Sequence, residues 1–210
     1  MSFLDEYKET REKFREMHSM ILNDVDKGYG DKVAESIGIL ENSRIVFESY
    51  PERDAFFDFM VHGEIIDGKS SLSAYLEKSR ESKDSNKLFR IMKASEVSLY
   101  EIEHVDRESN TIRLNDILNP SLTHEVIDFS LSQTINENVL LCTRLYHLES
   151  YSMTSGLMFL FDADHREYLR RRSRKIIKKI KTGNVSDKRF LAFFDLNRRD
   201  GLPAALEEVE

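Results

Sequence analysis

Residues 96–105, EVSLYEIEHV, and 111–117, TIRLNDI, decide the fold class of this chain. Both runs are short and rich in β-branched and aromatic residues, and the polar DRESN (106–110) between them reads as a turn. Three more runs of the same texture follow: THEVIDF (123–129), VLLCTRLYHL (139–148) and YSMTSGLMFLF (151–161), set apart by NPS and NEN. Five strands in succession without a helix between them predict an antiparallel meander, or a small barrel if its edges meet.

On either side the texture is helical. Leu4, Tyr7, Phe14, Met17 and Ile21 recur three, four or seven apart, which is one face of a helix, with Ser2 and Asp5 as its cap. Gly28 and Gly30 break that helix, and Val33, Ile37, Leu40 and Phe47 resume the stripe. Pro51 suits the first turn of a third helix, and a fourth starts near Ser70. The polar stretch at 82–87 leads into a short helical piece, LFRIMKA. After the strands, Asp164 and Glu167 read as a capping pair for the segment 166–181, and Gly183 closes it. DKRFLAFFDLNRRDG follows as a Phe-rich helix that should return onto the core, since Phe190, Leu191, Phe193, Phe194 and Leu196 form a large apolar surface. The expected architecture is α+β: helical parts at 1–94 and 164–210 around an antiparallel β part at 95–163.

Composition narrows the class further. The 210 residues are 40% apolar and 33% charged, enough for one sizeable core under a charged surface. The opening MSFLDEYKET has neither a basic nor an apolar leader region, and the longest apolar run, LMFLF, is too short to cross a bilayer. A single cysteine, Cys142, rules out an internal disulfide and a thiolate zinc site, so the expected location is cytoplasmic, with no membrane partner. Cys142 lies in a near-continuous apolar run and reads as a buried structural thiol.

Charge is the strongest feature. Residues 166–181, REYLRRRSRKIIKKIK, hold nine Lys/Arg and one Glu, a local +8, so the remainder of a chain of net charge −7 carries −15. Leu169, Ile176, Ile177 and Ile180 fall on one face of this segment. Arg166, Arg170, Arg171, Arg174, Lys175, Lys178, Lys179 and Lys181 take the rest, with Tyr168 positioned to stack on a base or sugar. Three roles fit: internal packing against the acidic remainder or a second copy, binding of nucleic acid, or lying on an anionic membrane, the last disfavoured by a narrow apolar face without Trp or Phe.

GEIIDGKS (63–70) matches the phosphate-loop pattern of nucleotide-binding enzymes letter for letter, with Gly68, Lys69 and Ser70 as its phosphate- and magnesium-binding end and the Asp of LMFLFD (157–162) as partner. The context argues against that reading. Ile65 and Ile66 resist positive φ, Asp67 would repel phosphate, the preceding ERDAFFDFMVH reads as helix, and hairpin-spaced strands leave no room for crossovers. A Gly turn with Ser70 or Ser71 capping the next helix fits better. Asp162 and Asp164 likewise read as a cap and surface turn rather than a metal pair. Asp54, Asp58 and His62, four apart on the third helix, could hold a metal but read as its solvated strip. His104, His124 and His147 lie in or beside strands that pairing could bring together. No catalytic constellation, metal or other cofactor is implied.

The segments YPERDAFFDFMVHGEIIDGKSSLSAYL, TIRLNDILNPSLTHEVID and NENVLLCTRLYHL together resemble a group of uncharacterised prokaryotic proteins, over about residues 50–160. Those proteins have an aromatic-rich helix, a G-K-[ST] helix start and a β-rich stretch with an R-D-L-L-T-G-E-like turn, and some end in a Cys-rich SEC-C zinc motif. Here Asn115-Asp116-Ile117-Leu118 stands in place of R-D-L-L and no terminal Cys cluster is present, so the resemblance implies a shared fold, no zinc and no activity. The sequence thus leads to a non-catalytic binding protein contacting nucleic acid, DNA or RNA, through 166–181. The alternatives are an assembly protein whose basic arm meets an acidic partner or another copy, and a nucleotide- or metal-dependent enzyme using GEIIDGKS.

Overall fold

The computed structural model describes residues 3–64, 66–78 and 83–203. Ser2, half of the expected first cap, lies outside them. The element order is α1 (Phe3–Asn23), α2 (Tyr29–Ser36), a hairpin of β1 (Leu40–Glu41) and β2 (Arg44–Ile45), α3 (Tyr50–His62), α4 (Ser71–Lys78), α5 (Lys83–Ala94), β3 (Glu96–Asp106), β4 (Thr111–Asp116), β5 (Thr123–Ile127), α6 (Phe129–Thr134), β6 (Val139–His147), β7 (Ser152–Thr154), β8 (Phe159–Asp162), α7 (Arg166–Ile177) and α8 (Val185–Asp200). The architecture is α+β, with helices at both ends and a small five-stranded barrel in the middle.

Two local readings change in the helical part. The stripe expected to run on to Phe47 ends at Ser36, because Gly38 at φ 76° closes the helix, with the Gly38 N–H donating to Glu35 O and the Ile39 N–H to Ala34 O; Asn42 and Ser43, both at positive φ (48° and 60°), then make the tight turn of the hairpin. The polar stretch at 82–87 is not a linker beyond residue 82: α5 begins at Lys83. The helix starts near Pro51 and Ser70 are as read. The Ser49 hydroxyl accepts from the Glu52 N–H, with Pro51 in the first turn of α3. The Ser70 hydroxyl accepts the Ser73 N–H at 3.2 Å and caps α4.

The strands close on themselves. β3 pairs antiparallel with β4 through Tyr100–Asp106 and with β6 through Glu96–Glu101, switching partners near a register shift between Ile102 and His104. β4 pairs with β5, β6 pairs with β7, and the ring is completed by a parallel contact, Val126 opposite Ser152. Two expectations are corrected here. The closing pair is parallel, and a helix, α6, does intervene between strands. Asp128 caps it by accepting the Leu131 N–H at 3.0 Å, so the DF that ended the expected third strand starts a helix instead. The expected fifth strand is also two, because Gly156 at φ 108° interrupts it, and β8 pairs separately with the first half of β6.

Strand alternation sorts the core into three clusters. Tyr100, Ile102, Ile112, Leu114, Val126, Leu141 and Leu145 fill the barrel, with Leu131 and Ile135 from α6 and the turn after it packed into the same cluster. Val97, Leu99, Leu140, Cys142, Phe159 and Phe161 point the other way, onto α2, α3 and α8. Phe190 of α8 stacks on Phe59 of α3 at 4.1 Å between ring centroids, so the Phe-rich helix does return onto the core. Tyr146 and Met153 face a third cluster built by α1, α4 and α5. Among the described residues no helix is long and apolar enough to cross a membrane.

Candidate nucleic-acid interface

α7 follows a single turn of 3-10 helix, Ala163–His165. The expected Asp164 cap is not formed. Asp162 accepts the Asp164 N–H at 2.8 Å instead, and His165, at the N-cap of α7, makes no side-chain capping bond. The helix is shorter than 166–181: it ends at Ile177, and Lys178–Lys181 form the turn towards α8. Twelve residues at about 1.5 Å each make a rod about 18 Å long. Leu169 and Ser173 are fully buried and Ile176 half-buried on the side that meets the core.

The other side is cationic. Arg171, Arg172, Arg174 and Lys175 are exposed on the helix, and Lys178, Lys179 and Lys181 on the turn. Spacings of three and four place Arg171, Arg174, Lys175 and Lys178 in one strip. None of these seven forms an ion pair with any described residue. Arg172, left out of the sequence-derived set, belongs with them. Arg166 and Arg170 do not. Arg166 reaches Glu101 of β3 at 3.5 Å, and Arg170 holds Glu167 at 2.7 Å, which keeps the Glu167 carboxyl below the usual range. α8 supplies the contrast, because its arginines are used internally: Arg189 with Glu96, Arg198 with Glu52 and Arg199 with Asp195. Described carboxylates neutralise those three, whereas among the described residues none pairs with the α7 strip.

Tyr168 stands one turn before this strip with its ring 46% exposed. Its hydroxyl donates to Asp200 Oδ2 at 3.0 Å, a bond that raises the phenol pKa, and His165 meets its ring edge-on at 5.9 Å. Glu101 of β3 lies against Arg166 at the start of α7. On the outer face of β3–β5 the exposed Arg113 stands opposite His104 of β3 and Glu125 of β5 and lies 4.0 Å from Glu103.

The other sequence candidates resolve differently. Lys69 bonds Glu77, Ser70 serves as a cap, and the segment before the loop is helix α3, so GEIIDGKS lacks the strand-to-helix setting of a phosphate loop. It borders a cavity of about 230 Å³ whose rim mixes Asp24, Lys27, Lys32, Asp67 and Lys78. Asp58 and His62 are not a solvated strip: both are buried, while Asp54 lies beside Arg53 at the surface. Among the described residues no three His, Cys, Asp or Glu side chains converge on a metal position. Cys142 is fully buried, and burial raises its thiol pKa far above the range of a nucleophile. His124 and His147 are brought together, their rings 5.0 Å apart, while His104 stays exposed and separate.

The barrel defines the structural class. Its first strand lies between the second and fourth, its third runs parallel to its fifth, and a helix joins third to fourth, which is the connectivity of an OB-type barrel. The chain itself belongs to a family of unknown function (DUF7986), whose profile matches residues 1–207. No curated protein and no solved structure matches it.

Proposed function

We propose that this protein binds nucleic acid through its phosphates, along the outer strip of α7 and the turn that follows, without catalysing a reaction on it. The observation carrying this reading is that Arg171, Arg172, Arg174, Lys175, Lys178, Lys179 and Lys181 have no carboxylate partner among the described residues of an otherwise acidic chain. Seven cations on and just beyond an 18 Å rod repel one another, and a polyanion relieves that repulsion while releasing its own counterions. The β4–β5 face, where OB-type barrels commonly take oligonucleotides, is a poorer surface for phosphate here because its Arg113 already faces Glu125 of β5 and Glu103 of β3.

Fluorescence anisotropy of labelled RNA and DNA at 50 and 200 mM salt tests the reading. Engagement of about three phosphates gives a log–log slope near −2.7 on duplex DNA and near −2.1 on single strands, so affinity falls roughly 40-fold and roughly 20-fold respectively between the two salts. Reversing Arg171, Arg174, Lys175 and Lys178 to Glu should abolish binding while leaving the fold intact, since all four are exposed. Absence of binding at 50 mM overturns the proposal and assigns the strip to an acidic protein surface.

A further inference from the structure

Resting on that reading, we infer that the preferred ligand is single-stranded nucleic acid, with one base stacked on the ring of Tyr168 while the neighbouring phosphates run along the α7 strip. An aromatic face beside a cationic track is what an unpaired strand requires, because a base has a free π-face only when it is out of a duplex. Tyr168 supplies that face on the strip itself: Arg171, Arg172 and Lys175 lie three, four and seven residues further on, so ring and cations share one side of the helix.

The ring is also held in place. A solvent-facing tyrosine ordinarily samples several rotamers, but here the hydroxyl is tied to Asp200 at the end of α8, and the edge of His165 limits the ring from the other direction. The two restraints come from different segments of the chain, so the orientation is set before any ligand arrives and less ordering entropy is lost on stacking.

Anisotropy with a fluorescein-labelled 12-nucleotide RNA, the DNA of the same sequence, and a 12-base-pair duplex at 50 mM salt separates the alternatives. The wild-type protein should bind both single strands at least 5-fold more tightly than the duplex. Tyr168→Ala should weaken single-strand binding by about 5- to 100-fold and duplex binding by less than 2-fold. Tyr168→Phe keeps the ring and loses only the tie to Asp200, so it should retain most of the preference. Equal effects of Tyr168→Ala on single strands and duplex, no effect on either, or a wild-type preference for duplex overturns the inference. Those outcomes leave phosphate binding by α7 standing, whereas failure of every probe to bind the wild-type protein removes both.

Discussion

Arg144 Nε donates to Asp58 Oδ2 at 2.9 Å with the two side chains only 2% and 3% exposed, joining β6 of the barrel to α3 across the seam between two apolar clusters. Asp58 also accepts from the Ser155 hydroxyl, and Arg144 Nη1 donates to the Ser95 carbonyl, whereas Arg144 Nη2 has no hydrogen-bond partner among the described residues. The pair therefore fixes where the barrel sits on the helices without recovering all the desolvation it costs. Asp58→Ala strands a buried guanidinium and should cost about 3–5 kcal/mol in urea unfolding. The double variant Asp58→Leu, Arg144→Met should recover most of that loss, and a double variant no more stable than Asp58→Ala would show the pair to be indispensable.

Beside this pair, the Tyr146 hydroxyl lies 2.7 Å from His18 Nε2 and 2.9 Å from His62 Nε2. Burial lowers both imidazole pKa values; for His18 nearby Asp58 opposes and Arg144 reinforces the shift, and for His62 Arg144 and His18 add to it. The folded protein thus keeps both rings neutral where the unfolded chain, titrating near 6.5, already binds protons. Stability is fully present above that value and falls as pH drops below it, by at most about 1.4 kcal/mol per pH unit for each ring and only until that ring protonates in the fold. Melting temperature should decline from pH 7 to pH 5. His18→Gln should flatten the profile, and an unchanged profile would place the acid sensitivity elsewhere.

GEIIDGKS yields an opposite expectation for its two best-known positions. Lys69 and Glu77 are an exposed pair, so Lys69→Ala should change stability by less than about 1 kcal/mol. Ser70→Ala removes a helix cap and should cost about 1 kcal/mol. Mg·ATP should shift the melting temperature of neither variant nor the wild type, as read by differential scanning fluorimetry.

The stacked rings of Phe59 and Phe190 hold α8, and through it α7, against the barrel. Phe190→Ala removes a fully buried ring and should destabilise by about 3–5 kcal/mol in chemical unfolding. Because the strip itself lies outside this contact, nucleic-acid affinity at low temperature should stay within about 2-fold of wild type. A parallel loss of affinity would mean that the strip depends on the exact seat of α8.

How far these features could be read beforehand follows from the range of the interactions behind them. The cap at Ser70, the Pro51 helix start and the run of strands after residue 95 were legible because each depends on neighbours within four residues. The strand endings at Phe129 and Gly156 were misread because a local apolar run does not say whether its last residues pair or turn. Asp128 was itself a visible capping signal for α6 that the alternation in THEVIDF concealed.

The basic strip was legible as charge, but its bare state was not. Whether Arg166 finds Glu101, or Arg198 finds Glu52 146 residues away, depends on which surfaces the folded chain places side by side. The same holds for Asp58 and His62, whose helix-strip spacing suggested solvent until β6 set Arg144 and Tyr146 against them. By itself the sequence determined the fold class, most element starts and the position of the positive charge, since those rest on short-range propensity and composition. Tertiary structure alone decided the closure of the barrel, the burial of its polar seam and which cations remain unpaired, because those rest on contacts between residues far apart in the chain.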